Sequence, residues 1–226
     1  MLNSLNLFQS CGMSLRGISM DDFGIKPNEI IKRKGNKNSN LLDTIPIFQN
    51  PTGIVISEER GNKILEICSK ERMSIIEDDA YRELWLDEEP PLPLKAKDKN
   101  GNVMYLGTAS KSLSVGLRIG WLVGSESVIE HLSDIKMQID YGASSLSQEV
   151  FAEWITGGLY DEYLLQLRNE LRIRRQTVLD ILEKYFINIA TWNRPSGGFY
   201  IWLKLKKPIS LNKLFEISYK KGILIN

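Results

Sequence analysis

An α/β fold is predicted for residues 43–124 on three observations. Apolar runs of strand length recur at 43–48, 73–77, 103–106 and 119–123. Helix-like or loop-like stretches separate them, the alternation of a layered α/β sheet. Turn and cap residues punctuate that alternation, with Asn50-Pro51 closing the first run and Ser57 standing ahead of Glu58 and Glu59.

Each element has its own reason. Ser57 suits a helix N-cap, and Ile64, Leu65, Ile67 and Cys68 then share one helical face. The run 73–77 is a buried-strand candidate that ends in Glu77-Asp78-Asp79. Pro90, Pro91 and Pro93 mark a loop before the last two strands of the layer. The texture changes after Gly142. Residues 146–155 read as a helix, and 160–185 as one long helix with Leu164, Leu167, Leu171, Ile181 and Leu182 in its apolar stripe. Arg168, Arg172, Arg174 and Arg175 read as its solvated face, and the five tryptophans as core. Gly197-Gly198 precedes a strand candidate at 199–205, and 211–221 reads as a short helix that Gly222 caps. Residues 36–40 form a polar loop. A domain boundary near residue 145 divides the chain into parts 1–145 and 146–226.

Composition narrows the function classes. The chain has 226 residues, 42% hydrophobic and 25% charged, ordinary values for a soluble globular protein. Its 29 basic and 28 acidic residues give a net charge of +1. That balance offers no electrostatic case for nucleic acid or an anionic membrane. Cys11 and Cys68 form no metal spacing, and they read as reduced thiols of a cytoplasmic protein. His131 is the one histidine, which excludes a multi-histidine metal site; it reads as a surface helix residue. No stretch reaches the roughly 20 apolar residues of a membrane span, and no secretory signal is visible.

Three short segments carry chemistry. Asn50-Pro51-Thr52-Gly53 follows a strand and, taken alone, is a turn. Glu77-Asp78-Asp79-Ala80-Tyr81 closes an apolar strand, where α/β proteins bind ligands; taken alone it is also a solvated acidic loop. Gly107-Thr108-Ala109-Ser110-Lys111-Ser112, with Arg118 beyond it, sets hydroxyls, a lysine and a guanidinium between two strands. Hydroxyls with a guanidinium suit a phosphate, and a lysine there suits Schiff-base chemistry. An ordinary salt-bridging loop has the same composition.

Together these segments resemble the fold-type-I pyridoxal-phosphate (PLP) enzymes, specifically class I/II aminotransferases. Within that group the chain is most similar to 2-aminoadipate/kynurenine-type enzymes and to the aminotransferase-like domain of MocR/GntR-type transcriptional regulators. The matching stretches are IFQNPTG (47–53), IIEDDAYRELW (75–85), YLGTASKSLSVGLRIGWLVG (105–124), DIKMQIDYGASSLSQ (134–148) and PSGGFYIWLKL (195–205), in family order.

The resemblance implies an incomplete α/β large domain of that fold over 1–145, then part of a small α+β C-terminal domain. It implies PLP as cofactor and, for the complete protein, amino-group transfer between an amino acid and a 2-oxo acid in a homodimer. The second implied reading is the effector-binding domain of a regulator, and a third is a degenerate gene fragment. Lys111 is then the Schiff-base lysine and proton shuttle. Asp78, chosen over Asp79 by the Asp-x-x-Tyr spacing, pairs with the pyridine nitrogen. Asn50 and Tyr81 donate to the ring's phenolic oxygen. Thr108, Ser110 and Arg118 hold the phosphate. Tyr141 is placed near the substrate or in packing. The family's glycine turn and stacking aromatic are expected before residue 1, and its carboxylate-binding arginine after residue 226. The chain as given is therefore expected to be an impaired catalyst.

Overall fold

The computed structural model describes residues 2–35 and 41–225. The polar loop expected at 36–40 lies outside them. An N-terminal helix, α1 (Leu2–Ser10), leads to a small antiparallel hairpin of β1 (Met20–Asp21) and β2 (Gly24–Ile25). Helix α2 (Pro27–Arg33) follows, with proline in its first turn, where a missing N–H costs nothing.

The main sheet has four strands: β3 (Leu41–Thr44), β4 (Ser74–Asp78), β5 (Val103–Thr108) and β6 (Gly120–Val123), in that order. The first three run parallel, with Thr44 opposite Glu77 and Asp78 opposite Leu106. β6 returns antiparallel, pairing Gly120 with Thr108. Helix α3 (Glu58–Lys70) crosses between β3 and β4, and the short turn α4 (Leu94–Lys97) precedes β5. Ser57 caps α3 as expected, its hydroxyl accepting from the Arg60 N–H at 3.2 Å. Ile64 and Cys68 seal against Leu42, Ile75 and Val103 in the core on one sheet face.

The first strand is shorter than its apolar run. It stops at Thr44, and residues 45–49 continue as buried irregular chain. Pro46 cannot donate to a ladder, and Phe48 takes a left-handed φ of 49°. The Asn50-Pro51 peptide bond is cis. This segment forms a second cluster in which Ile45, Ile47, Phe48, Tyr81 and Leu84 meet Leu167, Leu171 and Tyr200.

Beyond β6 the chain is helical: α5 (Glu126–Ile139), α6 (Ser145–Thr156) and α7 (Leu159–Phe186). His131 is exposed on α5, as expected. Strands β7 (Ala190–Trp192) and β8 (Leu203–Leu205) then pair antiparallel, and α8 (Leu211–Lys220) ends at Gly222 with φ 74°. The strand expected over 199–205 keeps only its last three residues. Gly198, at φ 77°, turns the chain, and Asn193 replaces a ladder partner by accepting from the Trp202 N–H at 2.8 Å.

Two expectations about this region fail. Arg168 and Arg175 are buried, not solvated. Arg168 donates to the Glu83 carbonyl at 2.9 Å and lies 4.0 Å over the Trp85 ring. Arg172 donates to the Leu86 carbonyl. Arg175 holds both Asp87 carboxylate oxygens and the Pro195 carbonyl at 2.6–2.7 Å. Buried carbonyls need donors, and a guanidinium supplies several in one plane. The tryptophans are not all core either: Trp121 is 41% and Trp202 47% exposed.

No helix among the described residues is long and apolar enough to cross a membrane. Several large apolar side chains are exposed. Trp121 and Val123 on edge strand β6, Met137 and Ile139 on α5, and Tyr141 and Leu146 beyond it are all exposed.

The tightest junction is Phe48 against Gly197 and Gly198. A Cβ on Gly197 would stand 2.3 Å from the Phe48 ring and 2.7 Å from the Leu84 carbonyl. Gly197→Ala is expected to destabilise the fold by about 1–3 kcal/mol, because a closed core cannot shift enough to admit the methyl group. Gly17→Ala, with nothing within 4 Å of its Cβ, is expected to stay within about 0.5 kcal/mol. Urea unfolding of both variants checks this, and equal midpoints would refute the packing account.

Candidate functional site

Parallel strands end at one sheet edge, and loops beyond that edge are where α/β sheets gather functional groups. β4 delivers Asp78 there, β5 delivers Thr108, and the segment after β3 delivers Asn50. Side chains alternate along β4, so Ile75 and Glu77 face the core while Ile76 and Asp78 face the other way. The acidic triplet is thereby split into separate environments.

Asp78 is half-buried. Burial pushes its carboxyl above the usual range, opposed by the Ala80 N–H at 3.2 Å and by the nearby positive charge of Lys111. Tyr81 is buried, and the Lys111 ammonium stands 6.0 Å from its ring centre. The Asn50 amide donates to the Tyr81 hydroxyl at 3.2 Å and to the Tyr200 hydroxyl at 3.1 Å. The two hydroxyls lie 3.4 Å apart. Burial pushes the Tyr81 phenol well above its ordinary range, and the Tyr200 hydroxyl adds to the shift while Asn50 opposes it. Asn50, Asp78, Tyr81 and Lys111 thus converge, although 61 residues of sequence separate the first from the last.

The lysine loop is organised from within. The Thr108 hydroxyl donates to the Ile119 carbonyl at 2.8 Å and accepts from the Ser110 N–H at 3.1 Å. Buried Ser112, beside Lys111, accepts from the Tyr160 hydroxyl of α7 at 2.7 Å. Lys111 itself is half-buried and makes no ion pair or hydrogen bond among the described residues. Arg118 is not drawn in with the others. It is exposed at a left-handed φ of 55°, and among the described residues its guanidinium meets only the Val115 carbonyl of its own loop, at 3.5 Å. Tyr141 is 86% exposed, so it is not a packing residue.

The other two carboxylates of the triplet serve structure. Asp79 is buried and ion-paired with Arg82. Glu77 is fully buried and accepts from the Leu94 and Lys95 N–H groups at 2.7 and 2.8 Å, pinning the start of α4. Burial raises its carboxyl to about 7 against the pull of those two donors.

These residues fit pyridoxal phosphate. An amine without an ion-pair partner, a carboxylate with an oxygen open to a further donor, and a hydroxyl–amide group face one another at the sheet edge. That is the donor and acceptor set that an aldehyde, a pyridine nitrogen and a phenolic oxygen require. Tyr200, Tyr160 and the arginines of α7 were not legible as site-supporting groups. Their partners lie 48 to 150 residues away.

Comparison with known proteins agrees with the geometry. The family model "Aminotransferase class I and II" matches residues 6–225. An uncharacterized HTH-type transcriptional regulator of Bacillus subtilis, YdfD, is 51% identical over all of this chain, which covers 47% of that protein. The HTH-type transcriptional regulator NorG of Staphylococcus aureus is 38% identical, again over the whole chain and 51% of its own length. The crystal structure of Pyrococcus horikoshii kynurenine aminotransferase superposes with a TM-score of 0.85 at 34% identity, over 92% of this chain and 52% of that one. The chain spans about half the length of the curated relatives it matches.

The raised carboxyl of Glu77 makes stability depend on pH. Below pH 4.5 both folded and unfolded chains keep this proton; between 4.5 and about 7 only the folded chain does. Stability from this group is therefore full below 4.5 and lost as pH rises through 7, by on the order of 3 kcal/mol. Glu77→Gln removes the titration. The stability difference between the parent protein and Glu77→Gln is expected to fall steadily across that window in urea unfolding. A difference that does not change with pH would sink the assignment.

Proposed function

Because the chain belongs to the aminotransferase class I and II family, we propose that its sheet-edge site holds pyridoxal phosphate for amino-group chemistry on amino acids and 2-oxo acids. The observation that carries this is the convergence of Lys111, Asp78, Tyr81 and Asn50. When bound, the cofactor supplies an aldehyde that captures amines and a ring that withdraws electrons.

The residues then divide the work. Lys111 would supply the amine that holds the cofactor and would act as the base and acid for the proton at the substrate Cα. Asp78 would keep a proton on the ring nitrogen, because a carboxylate in a half-buried site attracts a cation more strongly than one in water. Asn50 and Tyr81 would donate to the ring oxygen, Asn50 by turning one N–H away from a tyrosine hydroxyl. Thr108, Ser110 and Arg118 are assigned to the phosphate. Of these, Thr108 and Arg118 have to turn away from the Ile119 and Val115 carbonyls to serve it. The division into parts 1–145 and 146–226 belongs to the same reading, with the site loops in the first part and Tyr200 reaching over from the second.

The relatives support a second use of the same site. YdfD and NorG are named as transcriptional regulators, and in this chain that use would be to bind an amine without turning it over. Exposed Trp121 and Val123 on edge strand β6 support coverage by further polypeptide or by a second subunit, and we propose a homodimer on that ground; a cytoplasmic location belongs to the same proposal.

The test is borohydride reduction of the protein with added pyridoxal phosphate, followed by peptide mapping. Label is expected on Lys111; label on Lys95 or Lys136 instead would overturn the assignment. Glutamate formed from an amino acid and 2-oxoglutarate, and lost in Lys111→Ala, marks transfer; label without glutamate marks the sensing use. Asp78→Asn is expected to weaken that chemistry on the order of a hundredfold with the fold intact. Asp79→Asn is expected instead to cost roughly 3 kcal/mol of stability, because it strands the Arg82 charge. The opposite pattern would refute the Asp78 assignment.

A further inference from the structure

We infer that Tyr200 is a third donor to the ring oxygen of the cofactor, completing with Asn50 and Tyr81 a clamp that spans both ends of the chain. This rests on the pyridoxal-phosphate reading above and extends it to a residue 150 positions from Asn50.

Proton accounting carries the assignment. The Asn50 amide has two N–H groups, and it directs one to the Tyr81 hydroxyl and one to the Tyr200 hydroxyl. Both phenolic oxygens therefore already accept. They lie 3.4 Å apart, so one hydroxyl can donate to the other. At most one of the two phenolic protons is satisfied in this way. The other has no acceptor among the described residues. A planar oxyanion beside the three groups would receive both phenolic protons and, once Asn50 turns one N–H away from a hydroxyl, that N–H as well; charge-assisted bonds of this type are stronger than neutral ones.

Tyr200 is also held in place, as a donor to a fixed oxygen has to be. The Gly197-Gly198 turn that delivers it is closed against the Phe48 ring, with no room for a Cβ at either glycine. Asn193 donates to the Thr52 carbonyl at 2.7 Å. The Tyr200 carbonyl sits 3.1 Å from where a Cβ of Gly53 would be. The ring meets Tyr81 edge-on at 5.9 Å between centroids. The 193–200 segment is thus locked onto the same Asn50–Gly53 turn that supplies the amide.

Donation to the ring oxygen makes it less basic. The proton shared between that oxygen and the nitrogen of the lysine–cofactor link is then held less tightly, and removing a donor has the opposite effect. Tyr200→Phe keeps the ring packing and deletes only the hydroxyl. With pyridoxal phosphate bound, the pH midpoint of the visible absorption band is expected to rise by about one unit, roughly tenfold tighter proton binding. Tyr81→Phe is expected to shift it in the same direction. Circular dichroism of Tyr200→Phe is expected to match the parent protein. A reducible visible band in the parent with an unmoved or lowered midpoint in Tyr200→Phe overturns the assignment of Tyr200 alone. No such band in the parent overturns the pyridoxal-phosphate reading and this assignment with it.

Discussion

The Phe48 ring, buried against Gly197 and Gly198, joins the two ends of the molecule. On one side of it lies the turn that carries Asn50, and on the other the segment that carries Tyr200. A contact this close excludes any side chain at the two glycines, so the backbone itself forms the packing surface. Remove it and three things loosen at once: the Asn50 amide, the Tyr200 hydroxyl, and the Leu84 carbonyl, which accepts from the Gly198 N–H at 2.9 Å.

Division of labour within the acidic triplet shows how strand geometry sorts identical chemistries. Glu77, Asp78 and Asp79 are neighbours in sequence, yet the pleat of β4 sends them to different surroundings. Glu77 is enclosed and tied to backbone donors, Asp79 is enclosed and tied to Arg82, and Asp78 lies half-buried at the sheet edge, with one oxygen on the Ala80 N–H. Burial raises all three carboxyls. What distinguishes Asp78 from its two neighbours is access to the sheet edge, since the direction of the shift is the same for all three.

Much of this was legible from residues alone. The strand runs, the Ser57 cap and the long helix follow from local pattern, which is short-range information. The site motifs lie on loops after strands, so Asn50, Asp78, Tyr81 and Lys111 meet at the edge that parallel pairing creates. The first strand was over-extended because an apolar run cannot reveal that Pro46 ends the ladder while burial continues. Tyr200 escaped notice because its partners lie far away in sequence. Arginines at positions 168, 172 and 175 fit a solvated stripe equally well; only the placement of the 83–87 loop beneath them decides the matter.

Those arginines have a mechanical meaning. Helix α7 is 28 residues long, about 42 Å at the rise of an α-helix. Arg168, Arg172 and Arg175 fasten two of its turns to successive points of one loop, at Glu83, Leu86 and Asp87. A rod pinned at three places along a strap cannot roll or slide without dragging the strap. The strap begins two residues after Tyr81. Torque applied at the distant end of the rod is therefore delivered beside the phenol at the centre of the site.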